Sequence, residues 1–316
     1  MKIGILEPDN FCQEAMGRLA MLGEVCLYSG ASLERFLAAV DVIFIRLAHQ
    51  IDAGFLAKAP KLRVICSPTT GHTHIDETEL SKRGIRLISL RGEVEFLKTI
   101  RATPEHTFGL ILALLRNYKS AVLQVSNGVW DRDRLRGEEL FGMAVGIIGM
   151  GRVGSRVAEY CSAFGARIHY FDIKDIVVTN SSWRREAGVL PMIANCRVIV
   201  LCASHKNGEP PCIGDEEIAA LAGKYFVNTA RGELVNENIL VQAINDGVFA
   251  GVALDVVSHE NNPDSLKKWR DISYRSDVLI TPHIAGATTT SMAKTERHIV
   301  HLLQSFIKEN HEYKQL

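Results

Sequence analysis

The sequence predicts an α/β chain made of two doubly wound parallel-sheet domains. Three observations carry this. Short apolar runs alternate with amphipathic segments through the first hundred residues. A second, longer series of the same kind follows in the second half. At its head stands a glycine turn, GMGRVG (149–154), almost halfway along the 316 residues. Such a turn normally follows the first strand of its own domain, so a separate α/β domain is expected before it.

In the first series, KIGIL (2–6), VIFIR (42–46), RVICS (63–67) and RLIS (86–89) read as strands, joined by segments such as DETELSKRG. Gly84, after Lys82 and Arg83, reads as a helix stop. A helix over TPEHTFGLILALLRNYK links the two series. Thr103 suits its cap, and Pro104 suits the first helical position, where a missing N–H costs nothing. The second series runs through VGIIG (145–149), RIHYFD (167–172), RVIVLC (197–202), KYFVNT (224–229), GVALDV (251–256) and DVLITP (277–282). Six strands are the count of a complete dinucleotide-binding domain. From about Thr289 the chain reads as a helix, with Ile299, Leu302, Leu303, Phe306 and Ile307 on one face. WDRDRLRGEEL (130–140) reads as a surface loop.

Composition narrows the function classes. Apolar residues make up 47% and charged residues 23%, and the formal net charge is zero, so no whole-protein field favours nucleic acid. The cluster Lys267, Lys268 and Arg270 is interrupted by Trp269 and reads as a solvated face. The seven cysteines form no Cys-x-x-Cys, and contexts such as RVICSP and VIVLCA suggest buried thiols in a reducing compartment. MKIGILEPDN meets Glu7, Pro8 and Asp9 too early for a signal peptide, and FGLILALL is too short to span a bilayer. A cytoplasmic protein that binds neither membrane nor nucleic acid is the expectation.

In the turn, Gly149 permits the tight bend, Gly151 lets backbone approach a pyrophosphate, and Gly154 lets the helix pack close to the strand. The phosphates would meet free N–H groups at the helix N-terminus. Eighteen residues past Gly154, Asp172 ends the next strand, where a carboxylate accepts ribose hydroxyls and repels a 2′-phosphate. The alternative is a loop or capping aspartate. NAD is therefore the expected cofactor, with Lys174 near enough to soften the discrimination.

Three further stretches fall beyond strand ends, where ligands bind in open α/β sheets. NTARGELVN places Arg231, LDVVSHEN places Glu260, and LITPHIAGAT places His283 after Pro282. A guanidinium grips a carboxylate bidentately, and a histidine paired with a carboxylate can carry a proton. Taken singly, Arg231 also reads as a surface ion pair, Glu260 as a solvated loop residue and His283 as a helix cap.

Together these stretches resemble the NAD-dependent D-2-hydroxyacid dehydrogenases, the family of phosphoglycerate, glycerate and D-lactate dehydrogenases. GIIGMGRVG, NTARGELV, ALDV with Glu260 five residues after Asp255, and TPHIAG stand in the family's order. APKLRVI (59–65), HID (74–76) and PEHTFGLILALLR extend the match toward the N-terminus. The resemblance implies a Rossmann-type NAD domain, 99–288, inserted into a flavodoxin-like substrate domain, 1–98 plus 289–316. It implies that Arg231 binds the substrate carboxylate and carbonyl, that His283 is the general acid/base, and that Glu260 holds and tunes the histidine. Candidate cofactor-binding residues are Gly149, Gly151, Arg152, Val153, Gly154, Asp172, Ala230 and Asp255, the last near the nicotinamide carboxamide. The loop Thr69-Thr70-Gly71 would offer N–H groups to the substrate, with Thr70 and Gly71 as contacts. Family members commonly dimerise through the nucleotide domain, so a homodimer is expected.

The departures are Thr69 in place of a glycine, Asn261 in place of a proline after the glutamate, and LCASHKNGEPP (201–211) without the usual proline. His72 and His74 suggest a metal, but no third ligand stands near, and both are expected to line a turn or the rim of the site. The leading reading is reversible hydride transfer between NAD(H) and a small 2-hydroxy or 2-keto acid. One alternative is an NAD-sensing scaffold of the corepressor type; such proteins carry disordered extensions, whereas this chain ends about where its last helix should. The other is phosphoglycerate dehydrogenase, whose common C-terminal regulatory domain is not expected here. A phosphate would need extra cations, for which Arg46 is the candidate, with a surface arginine at a strand end as the equal alternative.

Overall fold

A computed structural model describes residues 1–178, 180–205, 208–260 and 262–310. Asn261, and Lys206 and Asn207 of the LCASHKNGEPP stretch, lie outside the described residues. The chain divides into two compact units, one formed by 1–100 and 287–316 and the other by 101–286.

The first unit holds β1 (Lys2–Ile5), β2 (Glu24–Leu27), β3 (Val42–Phe44), β4 (Val64–Ser67) and β5 (Arg86–Ser89). They form one parallel sheet in the order β2-β1-β3-β4-β5, a flavodoxin-like arrangement. β3 and β4 are buried at every position, which is why they read as continuous apolar runs. β2 is not among the four strands expected. It is an edge strand with no fully buried residue, so EVCL carries little hydrophobic signal.

The last helix, Thr289–Glu309, is capped by the Thr288 side chain, which accepts from Ser291 N at 3.0 Å. Ile299, Leu303 and Ile307 are buried with Val300 in the same cluster as Ile3, Ile5 and Phe11, while Leu302 and Phe306 pack at its margin. The C-terminal segment thus completes the core that the N-terminal strands begin. The earlier helix Glu77–Lys82 is capped by Asp76, which accepts from Glu79 N at 2.9 Å. It stops at Gly84, whose φ of 68° suits a residue without Cβ.

Among the described residues the second unit holds seven strands, one more than expected: β6 (Ala144–Ile148), β7 (Arg167–Phe171), β8 (Arg184–Arg185), β9 (Val198–Leu201), β10 (Tyr225–Asn228), β11 (Gly251–Leu254) and β12 (Val278–Ile280). Their order, β12-β11-β10-β9-β6-β7-β8, is all parallel and reverses direction at β6. This is the doubly wound Rossmann order, with ligands expected at the carboxyl ends beside the reversal. The unexpected β8 is two exposed arginines at the sheet edge, and it carries no apolar pattern to read.

The linking helix also differs from expectation. It spans Ala102–Leu115 with Arg101 at its cap, so Thr103 lies inside the first turn, where its carbonyl accepts from the Thr107 hydroxyl at 2.8 Å. Pro104 is tolerated there because the first four N–H groups of a helix have no intrahelical acceptor. The helix ends before Asn117, whose φ of 53° breaks it from a second helix, Tyr118–Ser126.

Candidate active site

The glycine turn leads from β6 into the helix Arg152–Ala163. Gly149 has φ 89°, and a Cβ there would meet Ala203 Cα and N at 2.6 Å. A Cβ on Gly154 would come within 2.0 Å of Gly149 O, so helix and turn touch backbone to backbone. Gly151 differs, because a Cβ there would meet nothing within 4 Å. The protein itself does not require that glycine, whereas a ligand lying against the turn would. Gly151 caps the helix without a side chain, so the N–H groups of the first turn, Arg152 and Val153 included, face outward from the helix head. Val153's side chain packs against the core, leaving its amide for a ligand. Burial pushes the Arg152 guanidinium below its ordinary pKa.

Asp172 follows β7. Its Oδ2 accepts from Met150 N inside the turn at 2.7 Å, and its Oδ1 accepts from Lys174 N at 2.9 Å. A carboxylate offers about four acceptor positions, so two remain after these loop bonds. The loop-aspartate and ribose-acceptor readings are compatible. Taken together, the open face at Gly151, the free helix N-terminus and Asp172 fit a dinucleotide.

Arg231 and Ala230 follow β10. Asn228, 1% exposed at the end of that strand, brackets them: its Oδ1 accepts from Ala230 N at 2.9 Å, and its Nδ2 donates to Arg231 O at 2.9 Å. The Arg231 Nη1 donates to Ala230 O at 2.6 Å. Burial lowers the Arg231 pKa, and the charges of Glu260 and Glu233 oppose that shift. Gly232 permits a further approach, since a Cβ there would stand 2.2 Å from Val257 C and Ser258 N. The Arg231 segment therefore lies directly against the loop that carries Glu260.

Glu260 Oε1 lies 2.5 Å from His283 Nδ1. An ionised carboxylate only accepts, so Nδ1 carries the proton of this bond and Nε2 is left for other chemistry. His283 has φ 53°, a left-handed conformation costing on the order of 1–3 kcal/mol unless its surroundings impose it. Asp255 imposes it. The Asp255 carbonyl accepts from His283 N at 2.8 Å. Its carboxylate accepts from the Thr281 hydroxyl at 2.6 Å, from Ile284 N at 2.9 Å and from Ala285 N at 2.9 Å. Burial pushes the Asp255 carboxyl up, but hydrogen bonds from His106, Thr281, Ala285 and Ile284 outweigh this and hold it below its ordinary value. His106 Nε2 lies 3.4 Å from Asp255 Oδ1 and 3.1 Å from Thr281 Oγ1.

The structure thus brings Arg231, Glu260, His283 and Asp255 together, and adds Asn228, His106 and Thr281, which sequence reasoning did not single out. Asn228 and Thr281 stand inside quoted motifs and were discoverable as polar residues at strand ends. His106 is a lone histidine in an apolar helix, and nothing in its neighbourhood signals a partner 149 residues away.

In the first unit, Thr70 is exposed and Gly71 half-buried in the loop after β4. Thr69 shapes that loop: its hydroxyl is 2.8 Å from Ser67 Oγ and donates to Gly71 O at 3.1 Å. His72 and His74 are both buried in a turn, closed by Ile75 N donating to His72 O at 2.9 Å, and not at a rim; His72 Nδ1 lies 3.1 Å from Glu77 Oε1. Among the described residues no cluster of three or more His, Cys, Asp or Glu side chains could hold a metal. Arg46 is committed elsewhere: Nη2 donates to Glu296 Oε1 at 2.6 Å and Nη1 to Asp9 O at 3.0 Å.

Fold and site together define a dinucleotide-binding α/β protein with an arginine, a glutamate and a histidine gathered at its strand ends. Residues 108–285 match the family model described as D-isomer specific 2-hydroxyacid dehydrogenase, NAD binding domain, and the chain belongs to that family. It is 30% identical over 304 residues to a D-3-phosphoglycerate dehydrogenase of Methanocaldococcus jannaschii, covering 94% of this chain and 56% of that protein. It is 31% identical over 270 residues to a glyoxylate reductase of Thermofilum pendens, covering 82% and 76%. The chain therefore spans about half the length of the phosphoglycerate dehydrogenases it matches. A crystal structure of D-lactate dehydrogenase from Aquifex aeolicus complexed with NAD and lactic acid superposes with a TM-score of 0.85 at 26% identity, covering 99% of this chain and 97% of that one.

Proposed function

We propose that the protein is an NAD-dependent oxidoreductase that interconverts a small D-2-hydroxy acid and its 2-keto acid, with His283 as general acid/base. The observation that carries this is the 2.5 Å pair of His283 and Glu260, held beside the half-buried cation Arg231 in the unit with the dinucleotide turn. NAD(H) supplies or accepts the hydride. Arg231, charged at all working pH, grips the substrate carboxylate and directs its carbonyl. His283 Nε2 delivers a proton to the carbonyl oxygen during reduction and removes it during oxidation. Glu260 orients the ring through Nδ1, and Asp255 fixes the backbone from which the ring projects. Thr70 and Gly71 are assigned to the substrate through their backbone amides.

Arg46 is assigned a structural role, because its guanidinium is engaged by Glu296 and Asp9. That supports an unphosphorylated acid over phosphoglycerate. Asp172 supports NAD over NADP. A homodimer through the second unit is supported by the helix Tyr118–Ser126, which buries none of its residues, and by Val122, Leu123, Val125 and Trp130, exposed beside one another in sequence. The cytoplasm is proposed as its compartment, since Cys66, Cys161 and Cys196 are buried as free thiols, which suits a reducing environment. A panel of glyoxylate, pyruvate, hydroxypyruvate and its 3-phosphate with NADH, followed at the nicotinamide absorbance, tests the reading. Turnover of none of them would overturn it, and preference for the phosphorylated acid would overturn the assignment of Arg46.

A further inference from the structure

The basic run around Trp269 is not a uniformly solvated face. Lys267 pairs with Asp264 and Arg270 with Asp271 on the surface, but Lys268 reaches inward to Glu237 Oε1. Glu237 is the first residue of the helix Glu237–Asn245, and its side chain is only 13% exposed. Its other oxygen, Oε2, accepts from Ser258 N at 2.6 Å. One carboxylate thus joins three segments: its own helix, the helix Pro263–Ile272 that carries Lys268, and the loop after β11. Ser258 stands two residues before Glu260. Gly232 closes against the same loop through the approach to Val257 and Ser258 described above. Between Glu260 and that anchor lies His259, whose φ of 54° is unfavourable for a side-chain-bearing residue, so this turn needs external support.

We propose that Glu237 is a positioning residue: held by Lys268, its carboxylate fixes the Ser258 amide and thereby keeps Glu260 against His283. The inference rests on His283 and Glu260 acting as the proton-transfer pair. Glu237 faces Lys268, Glu260 faces His283 and Arg231, and Arg231 also feels Glu233. Removing the Glu237 carboxylate strips the Ser258 N–H of its acceptor and leaves Lys268 unpaired. Glu260 then loses its fixed place, and the imidazolium form of His283 loses its partner.

Glu237→Ala is expected to lower kcat for keto-acid reduction on the order of tenfold, about the weight of one charge-assisted hydrogen bond, with the KM for NADH unchanged. Glu237→Gln retains an acceptor for Ser258 N–H and should recover most of kcat, whereas a requirement for bulk alone would be met equally by Glu237→Met. The Nδ1 proton of His283, followed by NMR in the same variants, reads the Glu260 contact without any turnover. Its hydrogen-bonded signal should shift or be lost in Glu237→Ala and should shift in Glu260→Gln. A Glu237→Ala protein that is less stable, yet keeps the wild-type kcat and the wild-type His283 Nδ1 signal, overturns the proposal. So does a Glu260→Gln protein in which that signal does not change. A wild type inactive on every acid offered, with the NMR coupling intact, would instead overturn the proposed reaction and leave the anchor standing.

Discussion

His283 combines two unusual features in one residue: a left-handed backbone and a ring nitrogen tied to a carboxylate at 2.5 Å. Both constrain where Nε2 points, and the side chain is 23% exposed. Replacing His283 with Ala should reduce turnover by roughly 10²–10⁴, the usual weight of a general acid/base, while NADH binding measured by fluorescence titration stays near wild type. Wild-type turnover in that variant under chemistry-limited conditions would end the mechanism. Asp172 spends two acceptor positions on Met150 and Lys174 and has two left, which the proposed reading gives to the ribose. Asp172→Ala should weaken NADH and narrow its advantage over NADPH in paired titrations. Equal affinities in the wild type would refute the assignment. These residues were legible in the sequence because they stand in short motifs at strand ends, where position and chemistry can be read together.

At the scale of elements, the loop Thr281–Ala285 is held by one buried carboxylate. Asp255 accepts from Thr281, Ile284 and Ala285, and its folded pKa is depressed. A depressed carboxylate contributes stability that is fully present above its unfolded pKa of about 3.9 and is lost as pH falls through the lower folded value. Asp255→Asn should therefore cost about 1–3 kcal/mol at neutral pH, with the difference from wild type shrinking in strong acid. Hydrogen exchange at the Ile284 and Ala285 amides would report it, and unchanged protection in the variant would show that the loop is held otherwise. His106 belongs to this element through tertiary structure alone. It stands on the helix Ala102–Leu115, and nothing local to PEHTFG predicts its approach to Asp255.

For the whole molecule, the first unit is assembled from both ends of the chain, and a buried ion pair marks the join. Arg46 at the end of β3 meets Glu296 in the last helix, 250 residues away, with side-chain exposures of 19% and 1%. Glu296 also accepts from Cys12 N at 2.7 Å. Arg46→Met should destabilise the first unit by about 3–5 kcal/mol in urea melts, because it leaves a buried carboxylate without its cation. Adding Glu296→Leu should restore part of the loss. A neutral Arg46→Met would return that arginine to the candidates for substrate binding. On the second unit, Val122→Asp with Trp130→Asp should convert the proposed dimer to a monomer in sedimentation at micromolar concentration. A monomeric wild type would remove the proposed interface.

Local signals in the sequence were enough for the two parallel sheets, the insertion of one unit into the other and the strand-end motifs. Strands buried on both faces, such as VICS and VIVL, must be apolar throughout, and a glycine turn between strand and helix has few other uses. The edge strands Glu24–Leu27 and Arg184–Arg185 escaped notice because an edge exposed to water imposes no apolar period. Only the tertiary structure decided which charges are spent on architecture. Arg46 is given to Glu296, Lys268 to Glu237 and the Asp255 carboxylate to the His283 loop. Each partnership closes a long stretch of chain, and the partner of a charged side chain is set by the packing of whole elements, which no spacing within a motif encodes.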